Sequence, residues 1–499
     1  MAKVLLFNPR SANNKPRIPN SILSIAASIE GLFEYVIVDG NLEDDPVEKI
    51  LGILAGGGYG FFGCTTMPGP QLKQAIPVSK MIKTRYPSLA VIWGGYFASN
   101  QSQVVLSSGY VDFVINGPGE RCFPALLKAI KNHHTFYNIP NLIYLSNGEI
   151  IKNPKDDLYD QDMLPALPYQ TLNQFYPLQK YLGKSYLGSK TIAYHSSVGC
   201  PFTCSFCAVV PIYKGRWRAK SARMVYNDIK WLKDNYGGNA IEFHDNNFFV
   251  SEKRTLEFAR LIKQEQMVWW GEGRIDTINK YSDESLSLMR ESGCKMIFFG
   301  AETGNDNILK SMHKGGTQSA KQIREFAARL AKFDIIPEYS FVLGTPGAGP
   351  EQVMKQIDSD IAFIREIKTI NPKTEIVIYV YSPVATDGSD MYKKVLETGF
   401  RFPSTLEEWI SPQWESFDLR KNPLTPWLTP AMIDKIKDFE TVLNSYYPTV
   451  SDIRLTSAKR MAMRIAASVR YQLRLYKRPY ELRLLQLLWK YRQPEIQGF

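Results

Sequence analysis

Ile192-Ala-Tyr-His-Ser-Ser-Val-Gly-Cys200-Pro-Phe-Thr-Cys204-Ser-Phe-Cys207 is the stretch on which the reading of this chain turns. Its first half is strand-like and delivers a loop carrying three thiols at the spacing C-x3-C-x2-C. Thiolates are the usual ligands of iron–sulfur clusters. Three of them on a four-iron cube leave one iron free to bind and reduce a further ligand. Two other readings stand beside this one. A tetrahedral zinc site would need a fourth ligand, for which His195 and His244 are the candidates. The three cysteines could also be buried structural residues.

Ahead of this stretch, residues 1–150 alternate strand-like and helix-like segments. Val4-Leu5-Leu6-Phe7 runs into Asn8-Pro9, Tyr35-Val36-Ile37-Val38 into Asp39-Gly40, and Gly60-Phe61-Phe62-Gly63 into Cys64-Thr65-Thr66-Met67. Leu89-Ala90-Val91-Ile92-Trp93 ends in Gly94-Gly95-Tyr96, and Val111-Asp112-Phe113-Val114-Ile115 in Asn116-Gly117-Pro118-Gly119-Glu120. Five apolar strands with helices between them predict an α/β unit, a doubly wound flavodoxin-like parallel sheet. Ligands of such sheets lie at the carboxyl ends of the strands, where these turns are rich in glycine and small polar residues. Residues 151–190 contain Met163-Leu-Pro-Ala-Leu-Pro-Tyr and read as a linker.

Behind the cysteines, over residues 191–400, strand-like runs recur at Ala240-Ile-Glu-Phe, Val268-Trp-Trp-Gly, Met296-Ile-Phe-Phe-Gly, Tyr339-Ser-Phe-Val-Leu-Gly and Glu375-Ile-Val-Ile-Tyr-Val. Helix-like segments such as 282–292 and 319–332 separate them. The repeat predicts a barrel whose chemistry sits at the carboxyl ends of its strands. Polar residues cluster there: Phe243-His-Asp245-Asn246-Asn-Phe248, Gly273-Arg274-Ile-Asp276, Gly300-Ala-Glu302-Thr-Gly304 and Gly344-Thr-Pro-Gly347.

These residues resemble the radical S-adenosylmethionine (SAM) superfamily, whose signature C-x3-C-x-aromatic-C is met here with Phe206 as the aromatic. The resemblance implies a partial (β/α)6 TIM-type barrel and a 4Fe–4S cluster on Cys200, Cys204 and Cys207. It also implies SAM contacts from Phe206, from Asp245 and Asn246, from Arg274 to the SAM carboxylate, from Glu302, and from Gly344 near adenine. The front domain is similar to the Rossmann-like cobalamin-binding domain of many radical SAM enzymes. By position its corrin-facing turns are Thr65, Thr66 and Met67, then Gly94, Gly95 and Tyr96, then Gly117, Gly119 and Glu120. The sequence departs from its relatives in four places. Tyr96-Phe97 replaces Pro-His. Asn246 replaces a second Asp. Ala348 replaces a Glu. Ser382-Pro-Val-Ala-Thr-Asp-Gly replaces a Pro-Gly-Thr turn at the strand end that usually faces substrate. The Asp-x-His-x-x-Gly signature of histidine-ligated cobalamin is absent, so a protein histidine is not expected on the lower face of cobalt. The remaining cysteines, Cys64, Cys122 and Cys294, are scattered, which argues against an auxiliary cluster and against the methylthiotransferase branch.

The function implied is a cobalamin-dependent radical SAM C-methyltransferase. It would act on an unactivated carbon of a hydrophobic or natural-product-like substrate, through a 5′-deoxyadenosyl radical and methylcobalamin, in a closed cavity between the two domains. Tyr339, Tyr379 and Tyr381 are candidates to line that cavity, with the barrel core as their other reading. Two functional alternatives remain: a cyclase or oxidase resembling the anaerobic tetrapyrrole ring cyclases, and a non-catalytic cobalamin or iron–sulfur sensor. The expected partners are a small molecule (a lipid, terpenoid or tetrapyrrole) and an electron donor such as flavodoxin or ferredoxin.

The chain has 499 residues and a formal net charge of +11. Between Thr456 and Arg492 ten Lys/Arg face one acid, Glu481, so this region supplies +9 and the rest of the chain +2. Nucleic-acid binding is therefore not expected of the body. Residues 401–499 read as a C-terminal helical, basic region broken at Pro479, with Met461, Ile465, Val469, Leu473 and Tyr476 at helical spacing. That region is either a helical cap on the barrel, its arginines solvated, or an attachment to an anionic membrane surface. No signal peptide or membrane-spanning run is read, so the expected location is the cytoplasm, with membrane association under the second alternative.

Overall fold

Lys3–Asn8 (β1) places Val4, Leu5, Leu6 and Phe7 out of reach of solvent, the pattern of a parallel strand covered on both faces. Tyr35–Asp39 (β2), Tyr59–Thr65 (β3), Ala90–Gly94 (β4) and Phe113–Ile115 (β5) join it in parallel, in the order β2-β1-β3-β4-β5. This is the doubly wound sheet expected. The computed structural model describes residues 2–11, 16–314, 317–386, 389–415 and 424–491. Asp387, Gly388 and Arg492 lie outside the described residues.

Leu142–Ser146 (β6) and Glu149–Lys152 (β7) continue the sheet antiparallel, making seven strands. They were not anticipated, although Asn147-Gly148 carries the signal. Both residues have positive φ, 50° and 82°, as a two-residue type I′ hairpin turn requires. The segment read as a linker is packed. Helical turns at Gln161–Met163, Tyr169–Phe175 and Leu178–Tyr181 bury Leu172, Leu178 and Tyr181. The Tyr176 hydroxyl donates to Glu43 at 2.7 Å.

Thr191–Tyr194 (β8) starts the second sheet and leads into a short hairpin, Ser197–Gly199 (β9) with Trp217–Ala219 (β10). Ala240–Phe243 (β11), Val268–Gly273 (β12), Cys294–Glu302 (β13), Ile336–Leu343 (β14) and Glu375–Val380 (β15) complete it. All pairings are parallel, in the order β8-β11-β12-β13-β14-β15, so β8 and β15 are its two edges. This is an open six-stranded barrel. Alternation along β12 shows how it is filled. Trp269 joins the Phe243, Phe248 and Phe258 rings under the helices. Trp270 points inward with Ala240, Met296 and Ile336 and plugs the amino end of the barrel. The outer helices begin where side chains can accept their free N–H groups: Ser282 caps Asp283–Glu291 and Ser319 caps Ala320–Lys332.

Three helices, Pro430–Tyr446, Ser457–Gln472 and Tyr480–Leu488, follow the barrel. They do form a cap, but the apolar stripe read from the sequence is not its packing face. Met463, Ala467 and Tyr471 are buried, and Tyr471 stacks on Tyr446 at 4.4 Å. Met461, Ile465, Val469 and Leu473 are exposed, while Tyr476 turns inward to accept from Arg365 at 2.8 Å. Nor are the arginines all solvated: Arg470 pairs with Glu481, and Arg483 with Asp438.

The two sheets meet with their carboxyl edges facing one another. Arg17, from the segment after β1, pairs with Glu242 on β11 and donates to His244 Nε2 at 2.7 Å. Asn20 donates to the Ala193 carbonyl at 3.1 Å. Arg17→Met would leave the Glu242 carboxylate buried with only His244 for a partner. We expect it to lower unfolding free energy by roughly 2 kcal/mol in urea titrations, with Glu242→Gln in the same chain restoring most of the loss. Equal stability of Arg17→Met and wild type would show that the pair does not hold the sheets together.

Candidate functional site

The loop from Cys200 to Cys207 begins where β9 pairs with β10. Gly199 has φ +74°, and a Cβ there would lie 2.2 Å from the Arg216 carbonyl oxygen. Only glycine lets the hairpin close directly before Cys200. The loop is then tied down through Ser205, which donates from its N–H to Met312 O (3.1 Å) and from its hydroxyl to Ser311 O (2.8 Å). Its carbonyl accepts from Thr386 at 2.6 Å and from Ser389 at 3.2 Å. All three thiols are free. Burial pushes the Cys207 thiol up to about 12 and raises that of Cys200. Bound iron would have to replace those protons. Among the described residues no three His, Cys, Asp or Glu side chains converge tightly enough for one ion. Thiolates holding a four-iron cube stand farther apart than the ligands of a single ion, and the cationic groups beside this loop suit their charge.

Arg274, at the end of β12, is the nearest of those cations. Its Nη1 donates to Cys204 Sγ at 3.1 Å and its guanidinium lies 3.9 Å over the Phe202 ring. Asp276 accepts from Nε and Nη2 at 2.9 and 2.7 Å. The fork expected for a SAM carboxylate is therefore already filled by Asp276. Glu302, at the end of β13, sits in an ion pair with Lys314 at 2.6 Å, both side chains nearly inaccessible. Lys314 also donates to Gly300 O at 2.8 Å and lies 5.9 Å over the Phe206 ring. A Cβ at Gly300 would fall 2.1 Å from Glu302 Oε1 and 2.5 Å from Lys314 Nζ. The first glycine of Gly-x-Glu-x-Gly thus makes room for the pair. Glu302 itself has φ +65°, a strained value for a non-glycine residue, beside a register shift in β13.

Asp245 is wholly buried and accepts from Ser196 N–H, the Ser196 hydroxyl and the Ser197 hydroxyl. Asn246 beside it accepts from the Tyr96 hydroxyl at 2.8 Å. Gly344 stands apart from this group: its carbonyl accepts from Trp427 Nε1 at 2.9 Å and Leu428 fills the space at its Cα. Lys314 and Thr386 were not singled out from the sequence. A lysine before Gly-Gly and a threonine in a departing turn carry no motif; Lys314 finds its partner at the end of β13 and Thr386 in the cysteine loop.

The facing carboxyl edges enclose a cavity of about 400 Å³. Thr65, Met67, Gly94, Gly95, Tyr96, Gly117, Gly119 and Glu120 line it from the first sheet, and Asn246, His195 and His244 from the second. Thr66 does not. It is buried, and its hydroxyl donates to Gly94 O at 3.0 Å, tying the two turns together. Nothing within 4 Å would meet a Cβ at Gly94, so open space begins at its backbone. Ser24 donates to Glu120 at 2.6 Å. Tyr339 and Tyr381 are core residues; neither they nor Tyr379 lines the cavity.

Buried charge sets the cavity's electrostatics. Burial alone would raise Glu242, but its hydrogen bond to His244 and the Arg17 charge hold it down at about 2. Burial, then the neighbouring His244, holds His195 down at about 4, so its ring is neutral at pH 7. Glu272, inside the barrel, has an Oε1 without a hydrogen-bond partner, and burial with Asp245 and Glu338 nearby pushes its carboxyl well above the usual range.

Residues 194–359 match the radical SAM superfamily. An uncharacterized methyltransferase of Pyrococcus horikoshii is 26% identical over 375 residues, 73% of this chain and 78% of the relative. An anaerobic magnesium-protoporphyrin IX monomethyl ester cyclase of Synechocystis is 27% identical over 260 residues, 51% of this chain and half of the relative's length. The solved structure of OxsB, a cobalamin-dependent SAM radical enzyme with aqua-cobalamin and SAM bound, superposes with a TM-score of 0.69 at 14% identity. It covers 98% of this chain and 75% of that one, and so shares the fold.

His195 gives the site a pH signature. Its folded value lies below that of the unfolded chain, so between about pH 6.5 and about 4 the unfolded state binds the extra proton. Stability contributed by neutral His195 is complete above that window and falls as pH drops through it. Glu242 acts in a lower window, from about 4.5 down to about 2. We expect His195→Gln to flatten the decline of Tm between about pH 6.5 and about 4, and an unchanged slope would contradict the assignment.

Proposed function

We propose, from the match of residues 194–359 to the radical SAM superfamily, that this chain is a cobalamin-dependent radical SAM C-methyltransferase acting on an unactivated carbon of a hydrophobic small molecule. One observation carries the reading. A single cavity is walled on one side by the glycine turns of the first sheet and on the other by strand ends of the barrel, with Tyr96 hydrogen-bonded to Asn246 across it. The methyltransferase relative and the cobalamin- and SAM-bound structure of the same fold support it.

In this reading Cys200, Cys204 and Cys207 hold a 4Fe–4S cluster. Phe206, Asp245, Asn246, Arg274 and Glu302 surround SAM, with Lys314 as an added candidate. Thr65, Met67, Gly94, Gly95, Tyr96, Gly117, Gly119 and Glu120 border cobalamin. When bound, these groups supply reductive cleavage of SAM to a 5′-deoxyadenosyl radical and a transferable methyl group. The protein's own part is placement and exclusion. Arg274 offers charge beside the thiolates while Asp276 fixes its plane. Lys314 holds Glu302 at the strand end, and the facing sheets keep water from the reacting carbon. The cavity's two histidines, His195 and His244, both come from the second sheet. A flavodoxin- or ferredoxin-type protein is the proposed electron donor.

A second reading, ring closure without methyl transfer, is favoured by the cyclase relative and would use the same residues. Anaerobically reconstituted protein with reductant and SAM should form 5′-deoxyadenosine, and Cys204→Ala should abolish it. Turnover retained in Cys204→Ala would refute the cluster assignment. With substrate, a product heavier by one methyl group supports the methyltransferase, and a new ring without that mass transfers the assignment to the cyclase. No 5′-deoxyadenosine from the wild type with any candidate substrate would point to a non-catalytic sensor.

A further inference from the structure

Eleven of the fifteen large apolar side chains exposed among the described residues lie between Val450 and Leu488, so the protein's unpaid apolar surface is gathered on the C-terminal helices. We propose that this face docks on an anionic lipid bilayer, with helices Ser457–Gln472 and Tyr480–Leu488 lying in the plane of the headgroups. The first helix turns Met463, Ala467 and Tyr471 inward and presents Met461, Ile465 and Val469, continued by Leu473, at four-residue intervals on the opposite face. The second helix buries Leu482 and presents Leu484, Leu487 and Leu488, the last three being 56%, 74% and 65% exposed. Folding of the cap does not need those side chains, because its inner contacts are made by the other face.

The basic residues divide in the same way. Arg460 donates to the carbonyls of Leu455 and Asp452, Arg470 pairs with Glu481, and Arg483 pairs with Asp438. These hold the cap together. Arg474, Lys477, Arg478 and Lys490 are exposed beside the apolar stripe. Apolar side chains reaching the acyl boundary with basic groups at headgroup level are what an in-plane amphipathic helix needs. Charge complementarity selects this occupant. A second copy of the chain would bring two strongly basic faces together, and a nucleic acid would leave the apolar stripe in water. No helix among the described residues is long and apolar enough to cross a membrane, so the contact is peripheral.

The test is flotation of the full-length protein with vesicles of phosphatidylcholine alone and with phosphatidylglycerol added. Binding is expected on the anionic vesicles only, and should weaken steeply with salt. Ile465→Glu together with Val469→Glu should lower the partition coefficient about tenfold or more, and Lys477→Ser with Lys490→Ser several-fold. Both variants should keep wild-type elution and 5′-deoxyadenosine formation, since none of these residues borders the cavity. Absence of wild-type binding to anionic vesicles, or binding untouched by the two glutamates, overturns the proposal. So does a wild-type dimer in light scattering that Ile465→Glu dissolves, which would assign the stripe to a second copy. Vesicle binding is read without turnover, so it stands or falls apart from the methyltransferase reading.

Discussion

Charge that has left water must be met by other charge or by oriented dipoles, and in this molecule that requirement organises the space between the sheets. Arg17 comes from the first sheet's side and reaches Glu242 and His244 on the barrel. Tyr96 and Asn246 repeat the crossing a short way off. Neither contact is where a stability argument would look first, since buried ion pairs return little net free energy. What they supply is registry: each has one geometry, and the facing strand ends must adopt it for the charges to be satisfied.

The same requirement shapes the cysteine loop. Arg274 is held rigid by Asp276 while its remaining N–H faces Cys204. Glu302 and Lys314 satisfy each other against the strand beside the glycine at 300. The strained φ of Glu302 is held by that pair and by the strand on either side. Against these paired groups, Glu272 stands out as a buried acid whose Oε1 has no donor. It is kept neutral rather than neutralised by a partner.

How far the sequence could be read follows from how local each signal is. The five parallel strands and six barrel strands were legible because both are apolar runs ended by turn residues. The cysteine triplet was legible as a pattern because its three thiols lie at a fixed spacing in one loop. The β6–β7 hairpin was equally local and was overlooked at Asn147-Gly148. Lys314 and Thr386 were not singled out from sequence, because what each side chain does is decided by a partner elsewhere in the chain: Glu302 at the end of β13 for the first, the Ser205 carbonyl in the cysteine loop for the second. The C-terminal stripe was read with the right period, but whether it met the protein or faced outward stayed open. Periodicity shows that a helix has two sides; it does not say which one meets the protein when Met463, Ala467 and Tyr471 offer a second apolar row.

Thr386 has a consequence for how this scaffold can change. It belongs to the segment after β15 where the chain departs most from the family it resembles, and its hydroxyl anchors the carbonyl of Ser205 between two of the three cysteines. The strand end that the family resemblance expects to face substrate is thus also a mooring of the cysteine loop. A lineage that altered this segment to accept a different compound would have to keep a donor at position 386 or find another tether. Divergence at this strand end is therefore coupled to the cysteine loop, and the accessible changes are those that keep a hydroxyl on the Ser205 carbonyl, where Ser389 also donates.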